Sequence, residues 1–165
     1  MLLKVSIAGL AMDPASNTPI IILKSEDGEH AVPIWIGLLE ATSIASALQK
    51  IKFERPMTHD LFKNFVELMN IKVSRIEVYD LIGNTYYAKI HFVSDSGHFD
   101  IDSRPSDAIA IAIRFDAPIY LAEKVIEKSK GIEDKPEMVD TSEEGKMWAD
   151  YLENLSPEDF GKFKV

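Results

Sequence analysis

Residues 100–114, reading DIDSRPSDAIAIAIR, limit the possible folds more than any other stretch of this chain. Pro105 has no backbone N–H and sits most easily in a first helical turn, while its ring pushes Arg104 out of the α region. An extended segment must therefore end, and a helix begin, within a residue or two of Arg104. Residues 108–113 then alternate Ala and Ile with no polar side chain. Alternation alone also suits a strand, but the alanines, the start signals ahead of them and Arg114 behind them favour a buried helix. Asp102, Ser103, Arg104, Ser106 and Asp107 crowd its mouth.

The same arrangement occurs earlier in the chain. Residues 31–36 read as an extended run, followed by Gly37 and an apolar segment opening on Glu40. Laying Glu40 on Asp107 also superposes Ala41 on Ala108, Ile44 on Ile111 and Ala45 on Ala112. Asp27 and Gly28 precede the first copy, and Asp95, Ser96 and Gly97 the second, both hairpin-turn signals between apolar runs. The expected fold is α+β: a duplicated strand-turn-strand-helix unit, with helices packed on a mixed, largely antiparallel sheet.

Around these units, residues 2–8 and 19–24 read as strands, and residues 72–81, 85–94 and 97–103 as a three-strand meander. Residues 40–51 read as the first helix. Thr58 is the expected N-cap of a helix over 59–69, in which Leu61, Phe65, Leu68 and Met69 are expected to form a core stripe. A short strand at 119–121 and a helix at 122–130 complete a domain of residues 1–130. Residues 131–140 read as a linker. Residues 141–165 read as a helical appendage, with Trp148, Tyr151, Leu152 and Leu155 on one face and a second helix start at Ser156 and Pro157.

With 46% hydrophobic and 27% charged residues, a chain of 165 residues can bury an ordinary core. It holds no cysteine, which excludes disulfides, thiol catalysis and Cys-type zinc sites and fits a reducing cytoplasm. No secretion signal or membrane-spanning run is visible. The net charge of −9, without a linear basic cluster, argues against non-specific wrapping of nucleic acid. Phosphate contacts have to be local, or bridged by cations.

Two polar corners carry the candidate chemistry, each an Arg-Pro step before a helix start: residues 55–61 and residues 102–107. Ser103, Arg104 and Ser106 together suit a phosphate at a helix N-terminus. Asp60, Asp102, Asp107 and Glu40 suit a hard divalent cation through oxygen ligands. His59 is the natural proton carrier at neutral pH. Against this, acidic residues in a first helical turn commonly serve only as caps, and Arg104 can simply pair with Asp102 or Asp107.

Residues 32–37, Glu40 and Ala41, residues 55–61 and residues 102–108, followed by residues 117–120, strongly resemble the bifunctional nuclease domain family. The resemblance spans residues 2 to 130. It implies a nuclease acting on DNA and RNA. Combined with the candidate residues, it gives an expected mechanism in which Asp60, Asp102 and Asp107 hold Mg²⁺ or Mn²⁺, Arg104 stabilises the scissile phosphate, and His59 is general base or acid. Nucleic acid is then the expected substrate and a homodimer the expected assembly. The rival expectation is a non-enzymatic assembly or ligand-binding module in which both corners are structural.

Overall fold

The computed structural model describes residues 1–132 and 143–154. Its framework is a seven-stranded sheet in the order β3-β2-β1-β7-β4-β5-β6. The first meander runs β1 (Leu2–Asp13), β2 (Thr18–Ser25) and β3 (Ala31–Trp35), followed by α1 (Leu38–Leu48). The second runs β4 (Lys72–Ile82), β5 (Thr85–Ser94) and β6 (Gly97–Ser103), followed by α3 (Pro105–Phe115). Between them lies α2 (Thr58–Leu68), and after them come β7 (Ile119–Ala122), α4 (Glu123–Ser129) and α5 (Glu143–Glu153). Every neighbouring pair is antiparallel except β4 with β7, which is parallel. The sheet is therefore mixed and largely antiparallel, as expected.

The duplication is equally plain. Moving from Glu40 to Asp107 carries the start of α1, Leu38, onto the start of α3, Pro105, and its end, Leu48, onto Phe115. The same shift carries Thr18, where β2 starts, onto Thr85, where β5 starts. The hairpin predicted at Asp27 and Gly28 is present, with Gly28 at φ 78°, a left-handed conformation that glycine adopts without a Cβ clash.

The core gathers on α3, where Ala108, Ile109, Ala110 and Ala112 have no accessible surface. A helix apolar on all sides is stable only when surrounded, and α3 packs against α1, α2, β4 and β5. Tyr86 of β5 donates its hydroxyl to the carbonyl of Pro33 in β3 at 2.9 Å, linking strands far apart in the sheet order. On the outer side of β4, Lys128 and Lys124 of α4 bond Asp80 at 2.7 and 2.9 Å and hold its carboxyl well below the usual carboxylate range.

Three sequence expectations are corrected. Met57, not Thr58, is the N-cap of α2, and its N–H donates to Asp60 Oδ2 at 3.1 Å. Helix α1 begins at Leu38, ahead of Glu40. The apolar stripe of α2 is not core: Phe65 is 59% and Leu68 80% exposed, and Leu61 and Met69 are exposed too, while the helix buries Val66 and tucks in Phe62. Helical spacing shows that a face is apolar, but which side meets the sheet depends on the neighbouring elements. The tail helix α5 packs on β1 and α1, with Leu152 buried and its carbonyl accepting from Gln49 Nε2 at 2.7 Å. Most of the predicted linker, the Trp148 side chain, Leu155 and the turn at Ser156 and Pro157 lie outside the described residues.

Candidate active site

The two polar corners meet in space. His59 lies in the first turn of α2, and its Nε2 is 2.9 Å from Oδ1 of Asp107 in the first turn of α3. The other oxygen of Asp107 accepts from Arg104 Nε at 2.7 Å, and Arg104 Nη1 donates to Glu40 Oε1 at 2.8 Å. On its far side, His59 Nδ1 is 2.7 Å from Ser43 Oγ in α1. A continuous chain of polar contacts thus runs Ser43–His59–Asp107–Arg104–Glu40 across three helices.

The duplication explains half of this arrangement. Glu40 and Asp107 occupy equivalent positions in the first turns of α1 and α3, where a carboxylate complements the helix dipole. Arg104 has Gly37 as its counterpart in the first unit, so one arginine serves both carboxylates. The Glu40 carboxylate in turn lies against Gly37, in space that a β-carbon there would contest.

Burial would raise the Asp107 carboxyl, but the bonds from Arg104 and His59 outweigh it and hold it below the ordinary carboxylate value. Asp107 is therefore a carboxylate at neutral pH and can only accept hydrogen bonds. His59 Nε2 must then carry a proton. In the neutral imidazole the Nδ1 lone pair is left to accept from the Ser43 hydroxyl.

These groups line a cavity of about 380 Å³, together with Thr42, Ser46, Phe53, Thr58 and Arg114. Leu39 and Met57, both exposed, stand among its lining residues. A volume of that size suits a small polar group held among a few convergent side chains. Arg104 is 65% exposed while held by two carboxylates, so its guanidinium is steered yet reachable by a ligand.

Other predicted residues fall elsewhere. Asp60 caps α2 and accepts from Arg114 Nε at 2.7 Å, a positioning role behind the cavity. Asp102 lies on β6, where its carboxylate faces the Tyr79 hydroxyl at 3.4 Å. Ser106 is buried and, with Arg104, lines a second cavity of about 460 Å³ beside Trp35 and Tyr86. Ser103 lines neither cavity, and its buried Oγ has no hydrogen-bond partner among the described residues. The predicted metal set therefore does not assemble: Asp60, Asp102 and Asp107 each have separate partners, and among the described residues no three His, Asp or Glu side chains gather to hold an ion. As placed, Asp60, Asp102 and Asp107 do not form one donor set for a metal ion.

Sequence reasoning missed two residues. Ser43 is a polar position on the inward side of α1, one helical turn beyond Glu40, and that spacing was the available signal. Arg114 reads as a helix-end cation, yet its side chain is only 6% exposed. Its guanidinium also bonds the carbonyls of Ala110 at 3.0 Å and Ser43 at 3.3 Å, tying α3 to α1 beneath the cavity.

This fold and cleft belong to a recognisable class. The bifunctional nuclease domain matches residues 21–134, and the chain is a member of that family. Every residue of the Ser43–Glu40 chain lies inside the matched region. Among individual proteins, the chain is similar to an uncharacterized protein of Mycobacterium tuberculosis, 30% identical over 162 residues that cover 95% of this chain and 97% of that one. It is also similar to Bifunctional nuclease 1 of Arabidopsis thaliana, 33% identical over 125 residues, covering 68% of this chain and 38% of the plant protein. Bifunctional nuclease 2 of Oryza sativa subsp. japonica is 30% identical over 117 residues, covering 68% of this chain and 36% of that protein.

Proposed function

We propose that this protein hydrolyses phosphodiester bonds of DNA and RNA in the cleft between α1, α2 and α3. The observation that carries the proposal is His59, locked by Asp107 into the tautomer that can accept a proton, a short step from the exposed Arg104. Family membership and the names of the plant relatives support the substrate class. In this reading His59 takes a proton from the attacking hydroxyl and returns it to the leaving sugar oxygen. Arg104 meets the charge that builds on the phosphate oxygens. A net charge of −9 confines the grip on the polyanion to such local contacts. The proposed setting is the cytoplasm, supported by the absence of cysteine; no helix among the described residues is long and apolar enough to cross a membrane.

The test is cleavage of end-labelled single-stranded DNA and RNA by highly purified protein, with EDTA and with added Mg²⁺ or Mn²⁺. Arg104→Gln should lower turnover on the order of 10²-fold, the cost of losing one charge-stabilising donor. Its melting temperature should stay close to that of the parent, because an exposed ion pair contributes little stability. Absence of cleavage by the parent protein in every buffer would remove the proposal.

We propose as well that two copies of the chain pair through α2 and β6. Phe92 of β5 packs edge-on with Phe62 of α2 at 6.4 Å and stacks with Phe99 of β6 at 5.2 Å, so both elements border one face. Phe65 and Leu68 of α2 and Phe99 and Ile101 of β6 are exposed. Among the described residues β6 ends the sheet, leaving its outer row of N–H and C=O groups open to an antiparallel copy related by a two-fold axis. Sedimentation equilibrium should give a dimer for the parent and a monomer for the double variant Phe65→Glu, Leu68→Glu. A parent protein that sediments as a monomer would refute the pairing.

A further inference from the structure

The hydroxyl nearest the base in this cleft belongs to the protein itself. Ser43 Oγ is 2.7 Å from His59 Nδ1, the nitrogen that Asp107 leaves unprotonated in the neutral ring. A serine hydroxyl bonded to an imidazole that is oriented in turn by a carboxylate is the general arrangement of an activated nucleophile. Three features argue that the contact is more than helix packing. Ser43 lines the cavity instead of being sealed beneath it. Its carbonyl is held by Arg114 Nη2 and by the Ser46 hydroxyl, at 3.3 and 2.9 Å, which fixes the α1 backbone that carries it. Arg104 lines the same cavity, where it can meet a phosphate presented to Ser43.

We infer that Ser43 is the nucleophile of this site and that cleavage proceeds through a phosphoseryl intermediate. This rests on the phosphodiester reading above. In the first step Ser43 Oγ bonds to phosphorus and its proton passes to His59 Nδ1. The bond from phosphorus to one sugar oxygen breaks, and that oxygen leaves with the proton from the imidazolium. In the second step a water attacks the phosphoserine and gives its proton to His59. Ser43 Oγ departs and recovers that proton. One water is consumed, and the products are one strand ending in a hydroxyl and one ending in a phosphate monoester. Asp107 acts as a positioning residue throughout, and no oxidant or further reactant is needed.

Two displacements at phosphorus restore its configuration, whereas direct attack by water inverts it. Cleavage of an oligonucleotide carrying one phosphorothioate of defined configuration, in ¹⁸O-water, should therefore give retention, and inversion would overturn the inference. Ser43→Ala should lower cleavage at least about 10²-fold; a variant that folds and retains parent activity overturns it equally. A fluorophosphonate probe tests the nucleophile without any nucleic acid. Intact-mass and peptide analysis should find one phosphonyl group, on Ser43. If the parent protein cleaves no oligonucleotide yet is labelled at Ser43, the nuclease reading falls and the nucleophile stands. If it neither cleaves nor is labelled, the nucleophile falls as well.

Discussion

Asp107→Asn is expected to cost the proposed cleavage on the order of 10⁴-fold, although it alters only one atom's identity in the side chain. The reason is the tautomer. Asp107 accepts twice, from His59 Nε2 at 2.9 Å and from Arg104 Nε at 2.7 Å. An asparagine can accept once and donate once at the same two places. Arg104 can only donate, so the amide oxygen must face it and the amide nitrogen must face His59. His59 Nε2 then has to present its lone pair, and the ring proton moves to Nδ1, toward Ser43. The base is filled at the nitrogen where it is needed empty. ¹⁵N chemical shifts of the ring should report the exchange of protonated and unprotonated nitrogens directly. The melting temperature should change little, since the packing and both hydrogen bonds survive, the one to His59 reversed in direction. Asp107→Ala should lose activity without installing the wrong tautomer, which separates that effect from loss of charge. Activity within threefold of the parent, with the variant folded, would show that the His59–Asp107 contact only holds two helices together.

That chain of contacts was only partly legible in the sequence, for a physical reason. Arg104, Asp107 and His59 announce themselves because each stands at a proline-marked entry to a helix, where chain direction and side-chain chemistry are tied to local rules. Asp102 sits close to the same proline, but on the strand side of the corner, and its carboxylate faces Tyr79. Two residues across a strand-to-helix boundary have no fixed angular relation until the bend is built, so nearness in sequence overstated nearness in space. Ser43 failed in the opposite way. It lies in mid-helix, carries no positional signal beyond its spacing from Glu40, and gains its role only when α2 brings His59 beside it.

The fold was more readable because repetition supplied a second measurement. One hairpin followed by an apolar helix has several possible packings. Two copies with the same spacing imply similar local structure, and a mixed sheet with two inward helices is a compact way to bury both. What repetition could not fix was the role of α2, which stands between the two units. With an amphipathic pattern and no counterpart, it could as well have turned Leu61 and Phe65 inward. Instead it turns Val66 and Phe62 toward the core and Asp60 toward Arg114, the geometry that points His59 at Asp107. Carrying the site and burying the larger apolar face were competing demands on one short helix. The exposed residues left by that choice are the surface proposed above for the second copy.

Ile109→Ala should be among the most damaging single changes to stability, at roughly 2–5 kcal/mol for an isoleucine deleted from a sealed site. Ile109 has no accessible surface and lies in a helix buried on all sides, so neighbouring elements cannot close the space without moving the sheet or α1. In a chain of this size that loss lowers the melting temperature by roughly 4–20 °C. Set against a typical total of roughly 5–15 kcal/mol, it leaves a protein that folds but with much of its margin gone. The informative comparison is Leu39→Ala, which removes a similar apolar side chain from α1. Leu39 is 83% exposed beside the cleft, and its truncation should stay within about 0.5 kcal/mol. Urea melts of the two variants at one low protein concentration measure the contrast. Because α3 carries both Arg104 and Asp107 at its mouth, the Ile109 variant also tests whether core and cleft are coupled. Its activity should fall only at temperatures where the protein begins to melt. An immediate loss at low temperature, with the fold intact, would mean that the packing around α3 sets the angle at which Asp107 meets His59.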